Sequence, residues 1–245
     1  RPRLADAAFF YDTDRKHTLA SRIPQLESVV FQQQLGTLAD KARRSTAIAT
    51  FIAERIQGDV AHAQRAVALA KCDLVTEMVL EFPELQGLMG GYYAKAEGLP
   101  LEMSEAIRDH YKPVGASDEV PTAPTTVAVS LADKLDNLLS FFRIGILPTG
   151  SKDPFALRRA ALGYLRLVQA NGLKLELDQV VHAWASQRVA GLPEKLGEFL
   201  LDRLAVQLRD EGVRHDYIQA SRSWQGRPDM RVDRVESRAR ALTAF

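Results

Sequence analysis

Apolar residues recur every three or four positions along most of the chain, which is the spacing of one face of an α-helix. One series runs from Leu35 to Ile56 and the next from Val60 to Met78, with Gly58 between them. Further series cover residues 131–142, 157–168 and 196–208. Alternation with a period of two, the signature of a half-buried strand, is nearly absent. The pattern therefore predicts an all-α fold, a bundle of many helices.

Helix-ending residues fall where these series stop. Asp153-Pro154 has an N-cap residue followed by proline at the first helical position, and Asn171-Gly172 supplies a left-handed stop. Residues 115–126 and 146–151 contain prolines and glycines among small polar residues, which is typical of loops. A helix between Asp153 and Asn171 is thus predicted with both ends defined.

Composition is typical of a globular protein and limits how the chain could bind nucleic acid. Of 245 residues, 46% are hydrophobic and 26% charged, so a core can form without a metal or a disulfide. With 32 basic and 31 acidic residues the net charge is +1, which excludes binding of nucleic acid by bulk charge alone. Contact with RNA would therefore require local patches of basic residues.

Cysteine content and apolar run length indicate the compartment. Cys72 is the single cysteine, which fits a reducing environment. No apolar run reaches the roughly 18 residues needed to span a bilayer, and no basic-then-apolar leader opens the sequence. We expect a cytoplasmic protein. The first residue is Arg1 and not methionine, so we also expect a piece of a longer polypeptide.

Three carboxylates stand within or beside apolar helical stretches: Asp73, Asp133 and Asp136. Burying a carboxylate costs free energy unless it is paired, so each requires a cation, a metal or backbone donors. An ion pair inside a helix bundle is the alternative to a functional site. The sequence contains no glycine-rich phosphate loop, nucleophile elbow or paired Cys/His ligands.

Five strings of residues carry a resemblance to a known family. They are Phe31-Gln-Gln-Gln-Leu-Gly-Thr-Leu-Ala-Asp-Lys41, Lys71-Cys-Asp-Leu-Val-Thr-Glu-Met-Val79, Glu84-Leu-Gln-Gly-Leu-Met-Gly90, Ala132-Asp-Lys-Leu-Asp136 and Pro148-Thr-Gly-Ser-Lys-Asp-Pro-Phe-Ala-Leu-Arg-Arg-Ala160. In this order they resemble the β subunit of bacterial heterotetrameric glycyl-tRNA synthetase. Asp12 to Lys16 extends the resemblance toward the amino terminus.

The resemblance implies a helical region related to the HD phosphohydrolase superfamily, within an α2β2 enzyme that ligates glycine to tRNA(Gly). ATP and Mg would be used by the whole complex, with no cofactor bound by this region. Residues 1–30 would then form a linker segment, 31–172 an HD-like helical domain, and 173–245 an additional helical region. Glycine activation would belong to the α subunit, and the β subunit would contribute to tRNA binding.

HD enzymes hold a divalent metal with a histidine, an adjacent His-Asp pair and a later aspartate. By helix spacing, these positions correspond to Lys41, Cys72-Asp73 and Asp133, so both imidazoles are missing. We expect the ammonium group of Lys41 or Lys71 to replace the metal as counter-ion to Asp73 and Asp133. The resemblance therefore predicts a degenerate site, and the alternative is an active metal-dependent phosphohydrolase.

Two groups of basic residues are candidates for contact with RNA phosphates. The first group lies in the first long helix. The second group lies on both sides of the predicted start of the helix after Asp153, where backbone N–H groups also favour anions. The candidate residues are Lys41, Arg43, Arg44, Lys152, Arg158 and Arg159. An internal clamp of the loop is the alternative for the second group.

The arginine-rich segment from Arg222 to Arg240 has its own alternatives, a phosphate-binding face or a solvated helix whose arginines pair with acids. For the region as a whole we expect tRNA binding and positioning without catalysis, and a scaffold that contacts only protein is a third possibility.

Overall fold

The computed structural model describes residues 2–187 and 189–244, and it confirms the all-α prediction. The α-helices in chain order are α1 (Pro2–Asp14), α2 (Leu38–Arg55), α3 (Val60–Leu69), α4 (Glu77–Glu81), α5 (Leu88–Ala96), α6 (Leu101–Asp109), α7 (Pro124–Arg143), α8 (Leu157–Ala170), α9 (Leu177–Ala185), α10 (Leu192–Asp210), α11 (His215–Ser221) and α12 (Val232–Thr243). Short 3-10 helices cover Ala20–Ser28, Cys72–Val75 and Pro83–Leu85. Two small antiparallel hairpins pair β1 (Val30–Gln32) with β2 (Gly36–Thr37) and β3 (Ser223–Trp224) with β4 (Arg227–Pro228).

The chain divides into two compact units. The first unit contains Arg1–Lys112 and Pro121–Asp136, and the second contains Pro113–Val120 and Asn137–Phe245. The units divide the chain at other residues than 30 and 172, and the divisions that the resemblance implies there stay a prediction. Within the first unit α1 contacts α4, and within the second unit α8 contacts α10.

In the first unit, the apolar faces predicted by the sequence form the core. Ile48 and Ile52 of α2 and Leu131 and Leu135 of α7 are fully buried. The predicted break near Gly58 is confirmed, and Asp59 caps α3 by accepting the N–H of His62. Burial of these aliphatic side chains contributes about 1.5–3 kcal/mol each before the entropy of ordering is counted.

The second apolar series is not one helix, as the sequence predicts, but three short elements. α3 ends at Leu69, a 3-10 turn follows, and Thr76 then caps α4 by accepting the N–H of Val79. Asp14 at the end of α1 is buried and accepts the N–H groups of Glu77 and Met78. The interruption moves Cys72 and Asp73 from a helix face into the turn.

The second unit is organised by α10, which contacts α8, α9, α11 and α12. The helix predicted after Asp153 is confirmed in part. Its last turn ends at Asn171 with Gly172 in the left-handed region, as predicted. Its first turn begins at Leu157, although the Asp153 carboxylate still accepts the N–H groups of Leu157 and Arg158. Among the described residues, no helix combines the length and the hydropathy needed to cross a bilayer.

Candidate functional site: a buried lysine cluster

Five side chains from four parts of the first unit meet in its core, and we call them the buried lysine cluster. They are Lys41 of α2, Lys71 before the 3-10 turn, His110 after α6, and Asp133 and Asp136 of α7. Asp133 and Asp136 are three residues apart, so α7 presents both carboxylates on one face. All five residues are buried.

The ammonium group of Lys41 contacts both carboxylates. Its Nζ lies 3.2 Å from Asp133 Oδ1 and 3.3 Å from Asp136 Oδ2, and it also donates to the backbone carbonyl of Asp133 at 3.3 Å. The side chain therefore occupies the position from which a cation would reach both acids.

Lys71 brings a second ammonium group to the same carboxylate oxygen. Its Nζ lies 3.1 Å from Asp133 Oδ1 and 2.9 Å from His110 Nε2, with the ring of Tyr111 centred 3.9 Å away. Because an ammonium group can only donate, Nε2 must accept, and His110 Nδ1 then donates to the carbonyl of Ile107 at 2.7 Å. His110 is thus a neutral imidazole with a defined tautomer.

Two further cations border the cluster. Arg44 binds Asp136 with two nitrogens, at 2.7 and 3.2 Å, and donates to the carbonyl of Leu35. Lys134 donates to the carbonyls of Tyr111 and Lys112 just beyond α6. Positive charge at the end of a helix is stabilising because the last carbonyls carry partial negative charge.

The neighbouring charges and the burial of the cluster shift the pKa values of Asp133 and His110. Burial would raise the pKa of Asp133, but the ammonium groups of Lys41 and Lys71 hold it well below its usual range. Burial, with the charge of Lys71 beside it, lowers the pKa of His110 to about 3. At neutral pH the cluster therefore contains an ionised Asp133 and an uncharged imidazole.

Asp73 does not join the cluster: within the described residues it forms no ion pair with Lys41 or Lys71, so the expected direct counter-ion is found at Asp133 only. Its Oδ2 accepts the N–H of Gly87 at 2.6 Å and of Gly90 at 3.1 Å. Burial raises its pKa despite these donors. A Cβ at Gly90 would lie 2.9 Å from the side chain of Ile107, so only glycine allows this approach. Asp73 thus fixes the start of α5.

These residues do not fit a divalent metal. The four positions that the resemblance aligns with metal ligands provide an ammonium group, a thiol and two carboxylates, and Asp133 is already bound by two lysines. Burial raises the pKa of the Cys72 thiol to about 12, which keeps it protonated. The cavity beside Lys41, Lys71, His110 and Asp133 measures about 10 Å³, room for about one water but not for a phosphate group.

The positions of Lys41 and Arg44 in the structure contradict two of the predicted RNA contacts. Lys41 is buried and bound to Asp133, so its ammonium group cannot reach an RNA phosphate. Arg44 is similarly bound to Asp136. Arg43 is exposed and pairs with Asp40 at 2.5 Å. A sequence reading cannot separate these cases, because the acids that bind Lys41 and Arg44 lie more than 90 residues away.

The second group, which we call the loop cluster, consists of Lys152, Arg158 and Arg159 in the second unit. Lys152 and Arg159 are exposed, and neither forms an ion pair within the described residues. Arg158 donates to the carbonyl of Gly150 at 2.6 Å, which is the geometry of a clamp. The loop is also held by the paired backbones of Thr149 and Lys152.

The arginines of α12 and the residues before it pair with acids. Arg234 and Arg238 both bind the buried Asp229, at 2.8 Å each, and Arg240 binds Glu211 and Glu236. The interpretation of this segment as a helix whose arginines pair with acids therefore agrees with the contacts.

Sequence reasoning missed His110, a member of the cluster, and Lys134, which borders it. His110 is one of five scattered histidines, and its partner Lys71 is 39 residues away. Lys134 stands between Asp133 and Leu135, where an i, i+4 pair with Ser130 was the only local signal.

Comparisons with known proteins identify the family of this chain. A family model described as glycyl-tRNA synthetase beta subunit matches residues 1–223. The chain is 53% identical to the glycine–tRNA ligase beta subunit of Chromohalobacter salexigens, 48% to that of Pseudomonas fluorescens and 47% to that of Pseudomonas aeruginosa. Each match covers 100% of this chain and 36% of the relative, so the chain spans about a third of their length. Because the family model matches residues 1–223 of 245 and the relatives are about half identical over the whole chain, the chain belongs to the glycyl-tRNA synthetase beta subunit family.

Proposed function

We propose that this chain is the part of a glycine–tRNA ligase β subunit that binds and positions tRNA(Gly) and carries out no chemical step itself. Its partners are then the tRNA and the α subunit of an α2β2 complex in the cytoplasm. ATP and Mg serve the complex elsewhere, when glycyl-adenylate is formed and glycine is transferred. The contribution of this region to the rate is binding and orientation.

The observation that carries the proposal is the double occupation of Asp133 Oδ1 by Lys41 and Lys71, at 3.2 and 3.1 Å. A divalent cation at this carboxylate would have to displace two ammonium groups and lie beside a third cation, Lys134. Like charges at such distances repel strongly in a buried site. The family's HD-like framework is thus proposed to persist as a degenerate site with a structural core.

Contact with RNA is assigned to the loop cluster. Lys152 and Arg159 are exposed next to the start of α8, and both lack an ion-pair partner among the described residues. Side chains of this type bind phosphate groups, which positions RNA without reading its sequence. Arg43 remains a weaker candidate because an RNA phosphate would have to compete with Asp40.

The test compares tRNA(Gly) affinity of the assembled α and β subunits carrying Lys152→Ala and Arg159→Ala with the unaltered complex. We expect weaker binding, and a slope of log affinity against log salt that falls by about 1 for each lost phosphate contact. The control is the pair Lys174→Ala and Lys195→Ala, which removes the same charge from exposed positions of the second unit. Equal losses in both pairs would show a general charge effect and contradict the assignment.

The rival function, hydrolysis of phosphate esters, has a separate test. The chain is incubated with manganese and a chromogenic phosphodiester, and we expect no turnover. Hydrolysis that disappears in Asp133→Asn would show that the carboxylate still binds metal, and the degenerate-site proposal would then fail even if tRNA binding stands.

A further inference from the structure

A second set of side chains converges in the first unit, away from the buried lysine cluster. Asp59 caps α3, His62 lies in the first turn of that helix, and Glu102 lies in the first turn of α6. One ligand atom from each residue lies within 4.8 Å of the other two. Two carboxylates and an imidazole from separate segments thus point at one small volume.

The contacts within this set converge on one ring nitrogen, His62 Nδ1, and a bound ion would replace those contacts. Asp59 uses Oδ1 to accept the N–H of His62 at 2.8 Å, and its Oδ2 lies 3.6 Å from His62 Nδ1. Glu102 Oε1 contacts the same ring nitrogen. The side chains are 48%, 32% and 46% exposed in chain order, so an ion from solvent can reach them.

A divalent ion would balance the negative charges of Asp59 and Glu102 better than the imidazole of His62 alone. Within the described part of the chain, neither Asp59 nor Glu102 forms an ion pair with a lysine or arginine. Two negative charges therefore face a ring that supplies at most one positive charge. A divalent cation supplies two and can be bound by all three side chains, with water completing its coordination.

We propose that Asp59, His62 and Glu102 bind a divalent first-row transition metal ion, with zinc as the best match to one nitrogen and two oxygen ligands. Tetrahedral zinc with bonds of about 2.1 Å needs ligand atoms about 3.4 Å apart, which small rotations of these exposed side chains supply. The ion joins the start of α3 to the start of α6. Since His110 directly follows α6, the ion steadies the helix that leads to the buried lysine cluster.

This site is independent of tRNA binding, and zinc itself is the probe. The metal-free chain is titrated with zinc against a chromophoric chelator, and its thermal unfolding is measured with and without one equivalent of zinc. We expect one tight site per chain and a higher unfolding temperature with zinc. Cobalt bound at the same site gives visible absorption bands that report its coordination.

Variants decide whether these residues are the ligands. His62→Gln and Glu102→Gln are expected to weaken zinc binding at least tenfold and to remove the thermal shift. The matched control is His215→Gln, an exposed histidine that belongs to no group of three metal-ligating side chains in the described residues. Should His62→Gln fail to fold, the isosteric Glu102→Gln and Asp59→Asn give the same comparison.

Unchanged affinity in Glu102→Gln and Asp59→Asn, or an equal loss in His215→Gln, would overturn the proposal. So would the absence of any thermal shift with zinc, because the set would then be an ion pair between His62 and the two acids.

Discussion

The buried lysine cluster and the loop cluster both contain basic residues that the sequence marks as phosphate contacts, yet their charges are used in opposite ways. Lys41 is buried and bound to two aspartates, whereas Lys152 is exposed and forms no ion pair within the described residues. The difference arises from Asp133 and Asp136 at helical spacing on α7, which bind Lys41 in the core. Basic residues are available to a ligand only where such acids are absent.

The largest expected effect tests the structural use of Lys41. Lys41→Met leaves Asp133 with Lys71 and Asp136 with Arg44, so two buried carboxylates each lose one cation. Breaking a buried ion pair costs about 3–5 kcal/mol, and the remaining partners place this case at the lower end. Urea unfolding measures the change. Lys152→Met is the control and should stay within about 0.5 kcal/mol; similar losses in both variants would erase the contrast between the clusters.

A second prediction sharpens the comparison through pH. A histidine in the unfolded chain titrates near about 6.5, but the pKa of His110 in the folded state is lowered to about 3. Between these values the unfolded chain binds one proton more, so the folded state loses stability as the pH falls. The slope is at most about 1.4 kcal/mol per pH unit.

The variant His110→Gln isolates this contribution. The raised pKa of Asp73 acts in the opposite direction above about pH 3.9, because there a proton is favoured in the folded state. It is present in both proteins and cancels in their difference. Urea unfolding between pH 4 and 6.5 should give a shallower slope for His110→Gln. If the free energy of unfolding depended on pH equally in both proteins, folding would not lower the pKa of His110 and the prediction would be wrong.

The smallest effect concerns the loop cluster itself. Arg158→Ala removes the hydrogen bond to the carbonyl of Gly150 and should cost about 0.5–1 kcal/mol, since the contact is at the surface. Arg159→Ala, which removes an exposed side chain of the same type, should leave the free energy of unfolding unchanged. A stability loss in Arg159→Ala, with none in Arg158→Ala, would reverse the assignment of clamp and contact.

Local signals predicted much of the fold. Apolar spacing and Gly58 located α2 and α3, and Asn171-Gly172 located the end of α8, because these features act within one or two helical turns. The break after Leu69 was missed. Apolar residues continue at helical spacing through it, and only Thr76 as a cap for α4 distinguishes the two arrangements.

The site was predictable only as a list of charged residues that need partners. Asp73, Asp133 and Asp136 were identified as acids that need partners, and Lys41 or Lys71 as the counter-ion to Asp73 and Asp133. Which acid each lysine binds depends on contacts between segments distant in sequence, as with Lys41 and Asp136, 95 residues apart. For the same reason the backbone donors of Gly87 and Gly90 could not be assigned to Asp73.

Both positive charges at Asp133 belong to side chains, and this affects how the core is assembled. An ion recruited from solution has to be supplied by the cell and can be lost to a chelator, while Lys41 and Lys71 arrive with the chain during synthesis. The counter-charges of Asp133 are therefore encoded in the sequence, and they are in place as soon as the helices have packed.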